Sequence, residues 1–131
     1  MAKNKNNYDG FWIYILECEN GNYYTGYTKD LAKRYQQHVR GTANSKYTRS
    51  FKPKRIAQCW QLFDEVGMAL KIERFIKGQD RKVKQSLIEN PADLKAMIAE
   101  NLNLNLSLLD FDPTRIETEL SNAKLDKSEL K

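Results

Sequence analysis

The sequence predicts an α+β fold: a small three-stranded antiparallel sheet flanked by helices, followed by an acidic, helical C-terminal extension. Three observations predict it. Two β-branched and aromatic runs are joined by an Asn20-Gly21 turn, a strong hairpin pattern. Downstream of the hairpin the apolar period changes from that of a strand to that of a helix. The charge also divides: residues 1–90 carry 17 Lys+Arg against 9 Asp+Glu, whereas residues 91–131 carry 5 against 8, so +8 and −3 make the net +5.

Each element follows in order. "FWIYILEC" (11–18) and "YYTGYT" (23–28) are the hairpin strands. Thr28 or Asp30 then caps a helix on which Leu31, Tyr35 and Val39 recur up to Gly41. "GTANSKYTRSFKPKR" (41–55) reads as a polar loop, and "IAQCWQLF" (56–63) as the third strand. A second helix covers "EVGMALKIERFIK" and stops at Gly78, and Asp80 caps a third, "RKVKQSLIE", closed by Asn90-Pro91. This divides the chain into a flexible basic N-terminus (1–9), a compact domain (10–90) and an acidic accessory tail (91–131), mostly helical or partly disordered. In the tail, Leu102, Leu104, Leu106 and Leu108 fit either a strand or a helix, and Pro113 suits a helix's first turn.

Composition excludes several function classes. Hydrophobic residues make up 40% of the chain, enough for a modest core, yet no apolar run approaches the ~20 residues that cross a bilayer. The opening "MAKNKNNYDG" is basic with no apolar stretch behind it, so a soluble cytoplasmic protein is expected. One histidine and two distant cysteines, Cys18 and Cys59, do not make a structural zinc site and read as small buried strand residues. There is no phosphate-binding glycine loop and no serine elbow. The basic, aromatic-rich first part suits a polyanionic partner, for which nucleic acid is the commonest choice.

A helical wheel at ~100° per residue places the reactive groups. Leu31, Ala32, Tyr35 and Val39 form the buried face of the first helix, and Arg34 and His38 lie side by side on its flank. On the second helix Met68, Ile72, Phe75 and Ile76 are apolar, with Glu73 at the rim beside Ala69 and Ile76. Both helices thus carry polar groups at a core border, where packing holds a side chain that still reaches a ligand.

Trp12-Ile13-Tyr14 and Tyr24-Thr25-Gly26, ten residues apart from tyrosine to tyrosine, resemble the two triplets of the GIY-YIG nuclease superfamily. "DLAKRYQQH" is similar to the helix that carries its arginine and histidine, and "ALKIERFIKG" to its glutamate segment. The resemblance covers residues 10–90 and is closest to small stand-alone members with "YIL" and "KYTR". It implies a divalent-metal-dependent endonuclease hydrolysing phosphodiester bonds in DNA, at branched, damaged or single-stranded structures as in repair. Tyr14 and Tyr24 would then activate water and support phosphate. Arg34 would neutralise charge on the scissile phosphate, His38 would contact phosphate or carry a proton, and Glu73 would hold a single Mg²⁺ or Mn²⁺. A tyrosine is a weak base until its environment helps, arginine offers a planar fork to phosphate, and one carboxylate is a usual complement for Mg²⁺. Trp12 stands where the pattern has glycine, which bears on substrate fit, and Thr25 for isoleucine is a mild β-branched exchange. The loop residues Lys46, Tyr47, Arg49, Lys52, Lys54 and Arg55 are expected to track a nucleic-acid backbone. The alternative reading is a weakly catalytic or non-catalytic nucleic-acid-binding module using the same basic surface. A further one makes the tail a docking arm for a protein partner.

Overall fold

The computed structural model describes residues 10–116, so the basic N-terminus (1–9) and the end of the tail (117–131) lie outside the described residues. Strand β1 (Phe11–Cys18) and strand β2 (Tyr23–Thr28) form the expected hairpin, with Trp12 opposite Thr28 and Tyr14 opposite Gly26. Gly21 takes a φ of +84° at the turn, where a left-handed residue is needed, and Asn20 Oδ1 accepts from the Asn22 amide. Helix α1 (Leu31–Arg40) starts at Asp30, whose carboxylate accepts from the Lys33 amide at 3.1 Å. Short helix α2 (Lys46–Ser50) precedes strand β3 (Pro53–Leu62). Helices α3 (Val66–Lys77), α4 (Arg81–Glu89, capped by Asp80) and α5 (Asp93–Leu102) follow, and strand β4 (Leu108–Phe111) ends the sheet.

The sheet order is β2-β1-β3-β4, antiparallel throughout. The expectation of three strands is therefore corrected to four, and the extension is not only helical. β4 comes from the tail and pairs Leu108 with Leu62 and Phe111 with Cys59. The physical reason is the open edge of β3, whose backbone donors and acceptors would otherwise face solvent. Exposure alternates through Leu102, Leu104 and Leu106 as in a strand, yet pairing begins only at Leu108.

Side-chain alternation in the strands builds two cores. Ile13, Ile15, Trp60 and Leu62 point to one face, against Ala69, Ile72 and Ile76 of α3, Leu87 of α4, and Leu94 and Ile98 of α5. Tyr14, Leu16, Cys18, Ile56 and Cys59 point to the other, against Leu31 of α1 and Ile116, which lies in a helical turn at 113–116. Each fully buried Ile or Leu contributes about 1.5–3 kcal/mol, so both layers matter to stability. Trp60 closes the first core, with its indole N–H donating to the Pro91 carbonyl at 2.8 Å. Cys18 and Cys59 are buried free thiols, and burial pushes the Cys59 thiol up to about 12.

Two local expectations change. The loop at 41–55 contains α2, because the Ser45 hydroxyl accepts from the Thr48 amide and caps a turn, and β3 begins already at Pro53. Helix α1 is also rotated from the face its apolar residues suggest: Val39 is 39% exposed while His38 is 1% exposed. The imidazole lies inside because two hydrogen-bond partners meet it there.

Candidate active site at the β2 edge

β2 is an edge strand, with α1 over one face of the sheet and α3 across the other. Groups from opposite faces can meet only around that edge. Gly26 opens the way. A Cβ at this position would lie 2.6 Å from Tyr14 Cζ, so only glycine lets the Tyr14 ring lie across β2. The result is an open cleft of about 500 Å³ whose lining includes Tyr14, Tyr24, Gly26, Arg34, Asn44 and Glu73.

Each group reaches the cleft for a local reason. Tyr14 is on the α1 side of β1, and Tyr24 on the same side of β2. Arg34 is one turn before His38 on α1, so the two stay on one side of the helix. Glu73 lies on the buried stripe of α3 with Ala69 and Ile76 and is only 9% exposed. Its carboxylate is 3.6 Å from the half-exposed Lys77 ammonium, which itself stands 5.9 Å from the Tyr24 ring centroid. Asn44 holds a φ of +56°, a left-handed backbone that asparagine tolerates better than most residues.

His38 lies behind the cleft. Its Nε2 is 2.8 Å from the Tyr14 hydroxyl and its Nδ1 is 2.9 Å from the hydroxyl of the fully buried Thr48. Its ring also meets the Tyr14 and Tyr24 rings edge-on. Burial, with Arg34 adding repulsion, lowers the imidazole to about 4, so it is neutral near pH 7. A neutral ring has one donor and one acceptor nitrogen, which makes Tyr14–His38–Thr48 a directed chain. Burial also raises the Tyr14 phenol well above its ordinary range. Tyr24 and Glu73 push it the same way and Arg34 opposes them.

The loop residues are distributed differently. Lys46, Arg49 and Lys52 are exposed around α2 and do not line the cleft. Lys54 and Arg55 lie in β3 and share Glu17, at 4.0 and 2.7 Å. Tyr47 is half-buried: it stacks on Tyr24 at 6.1 Å, meets Phe51 at 5.3 Å, and accepts a hydrogen bond from Asn20. Trp12 does not line the cleft either. It packs edge-on against Phe111 of β4 with centroids 5.2 Å apart. Thr25 turns its hydroxyl into the core, where it finds no hydrogen-bond partner among the described residues. Sequence reasoning missed Thr48 and Asn44, whereas the Glu73–Lys77 pair at i,i+4 follows from helical spacing alone. Thr48 stood inside the quoted "KYTR", but nothing local marked it as a partner of His38.

Residues 10–86 match the model of the GIY-YIG catalytic domain, more than half of the chain. The chain belongs to the GIY-YIG family. Among similar proteins is a UPF0213 protein of Haloquadratum walsbyi, 37% identical over 86 residues, covering 66% of this chain and 94% of that protein. A UPF0213 protein of Fusobacterium nucleatum subsp. nucleatum is 37% identical over 81 residues, covering 62% and 79%. The solution NMR structure of the UPF0213 protein BH0048 from Bacillus halodurans is 35% identical, with a TM-score of 0.40, and covers 61% of this chain and 83% of that one. Helix α5 and strand β4 lie beyond the span matched by the GIY-YIG model. No helix among the described residues is long and apolar enough to cross a membrane.

The donor chemistry of the cleft bears on a metal ion. Among the described residues there is no group of three or more His, Cys, Asp or Glu that could enclose one. The cleft is lined instead by a single carboxylate, Glu73, beside Tyr14 and Tyr24, an oxygen-bearing set. Such a set fits Mg²⁺ or Mn²⁺, hard ions that retain waters and complete their shell with substrate phosphate.

Proposed function

We propose that this GIY-YIG domain is a divalent-metal-dependent endonuclease that hydrolyses phosphodiester bonds in DNA. One observation carries the reading: Tyr14, Tyr24, Arg34 and Glu73 line a single cleft, with His38 hydrogen-bonded behind Tyr14. Arg34 presents its planar fork to the non-bridging oxygens of the scissile phosphate. Tyr24 donates its hydroxyl to the same group. Glu73 would hold the ion, which when bound would supply Lewis-acid charge to the phosphate and the attacking water.

The proton path uses the buried chain. With Nδ1–H donating to Thr48, Nε2 accepts from the Tyr14 hydroxyl. As the attacking water forms its bond to phosphorus, its proton passes to Tyr14 and the Tyr14 proton passes to His38. The bond from phosphorus to the leaving oxygen breaks, and that oxygen takes a proton from solvent. A phenol held high by burial does not ionise in advance, so concerted transfer to a neutral imidazole is the route this geometry supports. Thr48 holds the imidazole in place behind Tyr14 and does not touch substrate.

Cleavage of labelled DNA with Mg²⁺ or Mn²⁺ tests the reading. Glu73→Ala and Arg34→Ala are each expected to slow cleavage at least about a hundredfold, a usual loss for an electrostatic group at a reacting centre. If both cut as well as wild type, the assignment is wrong. A binding module without turnover is favoured by one feature, the Lys77 ammonium already beside Glu73. That reading expects salt-dependent binding and no cleavage with any divalent ion.

A further inference from the structure

A second depression of about 250 Å³ is lined by Asn22, Tyr23, Tyr47, Arg81 and Lys84. It adjoins the cleft through one stacked pair, since Tyr47 lies against Tyr24 and Tyr24 lines the cleft. Arg81 opens α4, and Lys84 is three residues on, one turn along the same side. The Arg81 guanidinium is held in place, its Cζ 4.7 Å from the Tyr23 ring centroid and its Nη1 donating to Asn22 Oδ1 at 3.3 Å.

The holding contacts leave most of the cation unused. A guanidinium has five N–H donors, and Asn22 takes one. Tyr23 covers one face of it through its π cloud and removes no donor. Among the described residues no carboxylate pairs with Arg81 or Lys84; the ion pairs there involve Glu17 and Glu73. Asp80, the neighbouring acid, accepts from the Val83 amide at 3.0 Å and serves as the helix cap. Lys54 and Arg55, by contrast, share a carboxylate. Arg81 and Lys84 are thus a basic pair with one ordered cation and, among the described residues, no acidic partner.

We propose that Arg81 and Lys84 form a second phosphate-binding station, which holds the nucleic-acid backbone beside the scissile phosphate. The inference rests on the nucleic-acid reading of the cleft and deepens it: the substrate strand extends past Tyr24 and Tyr47 to the start of α4. The Arg81 fork takes a phosphate bidentately, and Lys84 adds a flexible point charge next to it. Their role is to bind and register the strand, apart from the chemistry.

The test is fluorescence anisotropy of a labelled single-stranded DNA in buffer without divalent ions, repeated over a range of salt. The proteins are wild type, Arg81→Gln/Lys84→Gln, and Lys71→Gln/Lys95→Gln, which removes the same charge from exposed sites on α3 and α5. Each lost phosphate contact lowers the slope of log affinity against log salt by about 0.7 on a single strand. The Arg81/Lys84 variant is therefore expected to lose about 1.4 in slope, which is roughly a tenfold loss in affinity at physiological salt. The control keeps the wild-type slope to within a few tenths. An unchanged slope in the Arg81/Lys84 variant overturns the proposal, and so does an equal loss in the control. Cleavage by wild type with Mg²⁺, run in parallel, separates the two readings. Binding that depends on Arg81 and Lys84 without cleavage refutes the nuclease reading alone, and cleavage with binding indifferent to them refutes the station alone.

Discussion

Gly26→Ala adds one carbon at the closest approach between β2 and the candidate site. The new Cβ would lie 2.6 Å from Tyr14 Cζ and 3.1 Å from Cε1, too near for any ordinary contact. Tyr14 has little freedom to yield: its ring is 2% exposed, and its hydroxyl is tied to His38 at 2.8 Å. Something in the core must shift, and overpacking of this kind costs about 1–3 kcal/mol. For a chain of this size that lowers Tm by about 3–12 °C. The displaced hydroxyl also leaves His38, so cleavage should fall more than stability does. Gly67→Ala is the matched control, because a Cβ there meets nothing within 4 Å. In the first turn of α3 that exchange should be neutral or stabilising by up to about 1 kcal/mol. Calorimetry and a cleavage assay on both variants decide the matter. Wild-type Tm and wild-type cleavage in Gly26→Ala would refute the claim that β2 must be bare opposite Tyr14.

Three further outcomes follow from the same packing. His38 is held at about 4 in the fold against 6.5 ordinarily, so below pH 6.5 the unfolded chain takes up a proton that the folded one refuses. Stability should therefore fall as pH drops from 6.5 to about 4, and a urea midpoint that declines as steeply in His38→Gln contradicts this. Thr48→Val leaves His38 Nδ1 buried without its partner, at a cost of about 1–3 kcal/mol, and slows cleavage by loosening the ring behind Tyr14. Thr48→Ser should restore both, and a serine variant no better than valine would show that the hydroxyl is not what matters. Thr25→Val replaces a buried hydroxyl that lacks a partner among the described residues with a methyl of the same shape, and should gain about 1 kcal/mol in chemical denaturation. A loss of stability there would indicate a partner for the hydroxyl.

The hairpin, the capped helices and the residue types able to handle phosphate were legible in the sequence. Those features are written in local periodicity and turn chemistry, which a single chain displays without knowing its neighbours. Asn20-Gly21, Asp30 and Asp80 were each legible at the level of a few residues. Strand β4 was not, because a Leu/Asn alternation becomes a strand only when an open edge is there to pair with, and the β3 edge is a property of the sheet. The turn of helix α1 was missed for a similar reason. Its apolar residues put Val39 inside, but two hydrogen-bond partners from distant segments outweighed a methyl pair and drew His38 in. Tertiary structure alone also decided that Trp12 packs on Phe111 and leaves the cleft free, and that Tyr47 is a stacked wall. Convergence of Tyr14, Arg34 and Glu73 depends on one atom's absence at Gly26, where the two faces of the sheet communicate around its edge. Spacing along a chain names such groups, and only packing in three dimensions brings them to one hollow.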